Sequence, residues 1–68
     1  MTPDDMRACL TALGWSQRQL GRYLGCGERL ARSWASGAVP VPDNVSIWLR
    51  RLARAHNDFP YPRGWVKS

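Results

Sequence analysis

The residues of this chain best equipped for chemistry are Glu28, Arg29, Arg32 and Ser33, set between Gly27 and Gly37, with Gln17, Arg18 and Arg22 a short way upstream. A guanidinium is a planar fork that donates two parallel hydrogen bonds, a match for phosphate oxygens or for the O6 and N7 edge of guanine. A glutamate accepts from cytosine N4, and a serine hydroxyl serves either kind of partner. The chemistry on offer is recognition of a polyanion through hydrogen bonds. The sequence spells no set of nucleophile, base and orienting residue and no glycine loop that cradles phosphate, so the chain reads as a non-enzyme without a cofactor. A plainer role stands beside the first, because Glu28 and Arg32 lie four apart and such a pair also stabilises a helix by about 0.2 to 0.5 kcal/mol.

These residues need a helical support, and the stretch from Ser16 to Gly37 predicts one. Ser16 and Gln19 have the spacing of a capping box, and Trp15 and Leu20 that of a hydrophobic staple. Gly25 supplies a left-handed stop at no Cβ penalty. A second helix follows Cys26 and Gly27, sets Ala31 and Trp34 on one face and Arg29, Arg32 and Ser33 on others, and ends at Gly37. Two short helices joined by a glycine-bearing turn make a helix-turn-helix.

A helix on either side completes the expected architecture. Thr2 as cap, Pro3 at the first helical position and Asp4 and Asp5 in the first turn predict a helix whose stripe is Met6, Cys9, Leu10 and Leu13, closed by Gly14. The prolines of the segment from Ala38 to Pro42 make a stiff connector. From Pro42 or Asp43 to His56 an apolar pattern of Val45, Trp48, Leu49, Leu52 and Ala55 returns at helical spacing, with Arg50, Arg51 and Arg54 on the wet faces. Ile47 falls off that stripe and is the expected contact with a partner subunit. Residues 1–56 are therefore expected to form one helical domain and residues 57–68 a C-terminal tail. In that tail Phe59, Tyr61 and Trp65, interleaved with Pro60, Pro62 and Gly64, serve either as an arm or as a frayed end.

Composition sets the limits. Sixty-eight residues make one small domain, and four tryptophans provide large apolar area for a core of that size. The net charge is +5, and nine of the ten cations are arginine, which favours phosphate and base edges over a merely solubilising surface. The two cysteines, Cys9 and Cys26, sit where a stripe and a turn need small apolar groups. With only His56 to join them, they fall short of the roughly four ligands zinc requires, so no metal site is expected. No secretory leader or long apolar run is apparent, which predicts a cytoplasmic protein with reduced thiols and no membrane association.

The same residues resemble the XRE/Cro-like helix-turn-helix regulators of bacteria and their phages. Leu13-Gly14-Trp15-Ser16-Gln17 is similar to the start of that family's second helix. Leu20-Gly21 and Leu24-Gly25 match its body and turn, and Arg32-Ser33-Trp34-Ala35-Ser36-Gly37 matches the recognition helix and its stop. Val39-Pro40-Val41-Pro42, leading to Val45 and Trp48-Leu49, resembles the extension of short phage and proteobacterial members. The likeness spans residues 4–56. The chain departs from the pattern at Gly27, where the family usually has a serine, threonine or aspartate cap, and at Leu30-Ala31, where a small polar residue and a bulky aliphatic one are usual. It departs again at Gly21, where alanine is common.

The resemblance implies an all-α, compact four-helix domain of the lambda repressor-like kind with an extended C-terminal tail. It implies a sequence-specific transcription regulator, most simply a repressor, that reads double-stranded DNA through the major groove. In that scheme Gln17, Arg18 and Arg22 hold phosphate, Gly27 lets backbone approach it closely, and Glu28, Arg29, Arg32 and Ser33 read bases. A homodimer on a palindromic operator, with half-sites roughly 34 Å apart, is implied as well; its expected surface is Ile47, Phe59, Tyr61 and Trp65. In size and organisation the chain is similar to anti-CRISPR-associated repressors. Two other readings stay open: the antitoxin of a toxin-antitoxin pair, holding a partner protein through the tail, and a protein-interaction module that does not bind DNA.

Overall fold

A computed structural model describes residues 1–62 and 64 of the chain. It is all-α, with α1 (Pro3–Leu13), α2 (Gln17–Leu24), α3 (Gly27–Ser36) and α4 (Asp43–Asp58). The start signals act as their spacing predicts. Thr2 caps α1 by accepting from the Asp5 N–H at 3.1 Å, while the Asp5 carboxylate accepts from the Thr2 N–H at 3.3 Å. Ser16 and Gln19 close the same reciprocal box at the start of α2, at 3.0 and 2.7 Å. Each cap of this kind is worth about 1 kcal/mol.

The stop signals act through backbone conformation. Gly14 and Gly25 are left-handed, with φ of 72° and 69°. In both turns the following N–H reaches back five residues, Trp15 to the Leu10 carbonyl at 2.9 Å and Cys26 to the Gly21 carbonyl at 3.0 Å. That geometry satisfies carbonyls a helix end otherwise leaves open.

The core is Met6, Leu10 and Leu13 of α1, Leu20 of α2, Ala31, Trp34 and Ala35 of α3, and Leu49 of α4. Among the described indoles Trp34 is buried, whereas Trp15 and Trp48 are half-buried and lean on the core from outside, their ring centroids 5.8 Å apart. Tyr23 meets Trp15 edge-on at 4.9 Å, which extends this aromatic tier to the surface. Arg7 joins α1 to α3, its guanidinium donating to the Ala35 carbonyl at 2.8 Å while also pairing with Asp4. Arg50 joins α4 to α1 through Asp5 at 3.6 Å.

Three expectations about α4 and its tail change. The helix runs to Asp58, two residues past the expected end at His56 and hence past the expected domain boundary. Ala55 is exposed, whereas Ser46 is buried and Ala53 half-buried, so the inner stripe is rotated from the one the spacing predicts. Ala55 lies in the last turns, beyond the reach of the core, whose outermost member on α4 is Ala53. Tyr61 folds back on its own chain: its hydroxyl donates to the Leu13 carbonyl at 3.5 Å and its ring meets His56 edge-on at 4.4 Å. Phe59 is left 83% exposed, and Trp65 lies outside the described residues.

Candidate nucleic-acid interface

The turn between α2 and α3 fixes where the candidate residues of α3 point. Gly21 is buried, and a Cβ built on it would stand 2.4 Å from the Gly27 carbonyl oxygen, so α2 and the start of α3 touch backbone to backbone. Gly27 has φ of +82°, a conformation few L side chains adopt, and nothing lies within 4 Å of where its Cβ would be. Its carbonyl side is thus occupied by α2 while its other side stays open. Cys26 precedes α3 and supplies no side-chain cap, so the helix begins with unsatisfied backbone donors.

With Leu30, Ala31, Trp34 and Ala35 packed inward, Glu28, Arg29, Arg32 and Ser33 form the opposite face of α3. Glu28, Arg29 and Arg32 are exposed and Ser33 is half-buried. Arg32 pairs with Glu28 at 3.1 Å, the ordinary helix pair the spacing allows, in a setting too exposed to stabilise much. The Ser33 hydroxyl donates to the Arg29 carbonyl at 3.0 Å, which leaves its lone pairs as the groups free to meet a partner. Arg29 is exposed and has no carboxylate within 4.0 Å among the described residues.

Gln17, Arg18 and Glu28 line one shallow groove of about 320 Å³, together with Ser16, Trp15 and, from α1, Arg7 and Thr11. The start of α2 and the start of α3 therefore face a common space, with Gln17 and Glu28 both on its wall. Arg22 lies one turn beyond Arg18 on the exposed side of α2; like Arg18 it has no carboxylate partner among the described residues. Arg22, Arg29, Arg32 and Ser33 lie off the groove, on the surfaces that flank it. The one acid of this region, Glu28, is balanced by Arg32, so Arg18, Arg22 and Arg29 leave the face positive.

Sequence reasoning missed Arg7 and Thr11. Arg7 reads locally as a partner for Asp4 on the same helix, and nothing in its neighbourhood announces a contact with residue 35. Leu30, where the sequence departs from the family pattern, is half-buried against the core.

Other titrating groups serve the scaffold. Hydrogen bonds from the Thr2 backbone and side chain hold the Asp5 carboxyl below its ordinary value of 3.8, with a smaller contribution from Arg50. Burial pushes the Cys9 thiol up, against a smaller opposing effect of Arg50. Cys9 and Cys26 are free thiols, both half-buried. Among the described residues no three His, Cys, Asp or Glu side chains gather as a metal site, and no helix is long and apolar enough to cross a membrane. No protein-family model, curated protein or solved structure matches the chain.

Proposed function

We propose that the chain is a sequence-specific DNA-binding regulator of the XRE/Cro-like kind, a repressor acting as a dimer on a near-palindromic operator. The observation that carries this reading is the outward face of α3, where Glu28, Arg29, Arg32 and Ser33 project beside a groove that the start of α2 lines with Gln17 and Arg18. A helix so presented enters a major groove with its first turns at the base edges, while side chains and N–H groups at the neighbouring helix start grip phosphate. Arg29 is the principal reader, since its fork is not engaged by a carboxylate. Arg18 and Arg22 hold the backbone, and Gln17 steadies the reading side chains from across the groove. Occlusion of a promoter is the simplest consequence of binding by so small a module.

Gel-shift titration on the DNA upstream of the chain's own coding region, repeated across salt concentrations, tests the reading. The logarithm of the affinity should fall linearly with the logarithm of salt, and cognate DNA should outcompete random DNA by roughly 10³-fold or more. Affinity indifferent to salt, or equal for both DNAs, overturns it. Phe59, 83% exposed just past α4, favours a second reading as an antitoxin that also holds a partner protein. Co-purification with the product of an adjacent gene, lost in Phe59→Ser, distinguishes that case.

A further inference from the structure

We infer that α4 is the pairing surface for a second copy of this chain, in an antiparallel arrangement with Ile47 on the two-fold axis and reciprocal ion pairs between Asp43 and the partner's Arg51. This rests on the dimeric reading above and specifies how the dimer is built.

Ile47 is 52% exposed on a helix whose inner side is already spent on Ser46, Leu49 and half-buried Val45, Trp48 and Leu52. Asp43 and Arg51 lie one turn before and one turn after it, at i−4 and i+4, on the same outer face. Both are exposed, and neither makes an ion pair among the described residues. When two antiparallel helices cross at a two-fold axis through residue 47, each position is matched to one equally far on the other side. Position 43 then faces position 51 of the partner, twice, and an acid meets a base at both ends of an isoleucine contact. The next positions on this face raise no conflict. Asn44 meets the partner's Arg50, whose guanidinium is already held by Asp5, and Arg54 falls opposite the connector at Pro40. An apolar groove of about 260 Å³, lined by Leu24, Asn44, Val45 and Trp48, opens beside Ile47 and provides further apolar surface for the partner helix.

A parallel, in-register pairing of two copies of α4 sets Arg51 against Arg51 and Asp43 against Asp43, so the charge pattern favours the antiparallel arrangement. A single helix of 16 residues, about 24 Å long, gives a contact smaller than the roughly 1,200 Å² of total area that stable complexes bury. Self-association is therefore weak in free solution and is completed on DNA, where two half-sites hold the copies at high effective concentration.

Sedimentation equilibrium of the full chain up to about 1 mM, without DNA, reads the pairing independently of any operator. The wild type should show a reversible monomer-dimer equilibrium within that range that weakens as salt is raised. Asp43→Arg and Arg51→Asp should each weaken it about tenfold or more, and the double variant D43R/R51D should recover to within about threefold of the wild type. Circular dichroism of each variant confirms that α4 is retained. A wild type that stays monomeric to 1 mM, or a double variant no better than the singles, overturns the inference. DNA binding with the predicted salt dependence then still stands if the pairing fails, and pairing still stands if DNA binding fails.

Discussion

The guanidinium of Arg7, on the first helix, donates a hydrogen bond to the carbonyl of Ala35 at 2.8 Å, which ties α1 to the last turn of α3. The carbonyls at a helix C-terminus have no partner within the helix, and a cation there also answers the negative end of the dipole. Arg7→Met keeps the stem and removes the donors. We expect it to cost about 1 kcal/mol in urea unfolding, a figure near the middle for a hydrogen bond at a half-exposed site. In amide exchange Gly37 should lose protection before any residue of α2.

Two glycines of the turn should respond to alanine for opposite reasons. Gly21 lies inside α2, where alanine is intrinsically better by about 1 kcal/mol. Yet its Cβ would meet the Gly27 carbonyl oxygen at 2.4 Å, so Gly21→Ala must force the helices apart and should cost about 2 kcal/mol or more. Gly27→Ala meets open space but a φ of +82°, and should cost about 1 to 2 kcal/mol through backbone strain alone. Thermal melts that rank Gly21→Ala as the milder change would contradict the packing described.

Arginines on the two helices should fail in different ways. Arg29→Ala should cost about 1 to 3 kcal/mol on cognate DNA and relax preference at one position of each half-site. Arg18→Ala should weaken cognate and random DNA alike and reduce the salt slope by about 1. Competition binding against a library randomised one position at a time reads both effects. Equal losses for both variants on every sequence would remove the division of labour between α2 and α3.

Acid should loosen the amino-terminal cap. The Asp5 carboxyl is held below 3.8 in the folded chain, chiefly by the Thr2 backbone N–H and then by its hydroxyl. A group whose folded value is depressed contributes stability above its unfolded value and loses it as pH falls through the folded one. The contribution of Asp5 is therefore complete near neutrality and disappears below about pH 4. Asp5→Asn should be less stable than the wild type at pH 7, and the gap should close toward pH 2 in denaturant titrations.

Features written in a few adjacent residues were legible before any coordinates. Thr2-Pro3, Ser16 with Gln19, and the glycines at 14, 25 and 37 bounded three helices because a cap is a local competition for backbone hydrogen bonds. The departure from alanine at Gly21 finds its reason in the fold, since only a missing Cβ lets the two backbones meet. Contacts far apart in sequence gave no such signal. Nothing around Arg7 points to Ala35, nothing around Tyr61 points to Leu13, and the join of Trp15 with Trp48 depends on how α4 lies against the rest. Ala55 turned outward and Ser46 inward because periodicity fixes the direction of an apolar stripe only to within about one residue, and packing decides the remainder. Within the candidate interface the exposure of Arg29 followed from its register, whereas the pairing of Arg32 with Glu28 was one of two readings that spacing alone allowed.

The contact between Gly21 and Gly27 sets backbone of α2 against backbone at the start of α3, a close-packed wedge with no side chain between them. On the proposed reading, a signal that silences DNA binding has no small lever to pull on α3 by itself. Control on that reading comes from outside the wedge, through how many copies are present, whether they meet, and whether another molecule occupies the exposed face first.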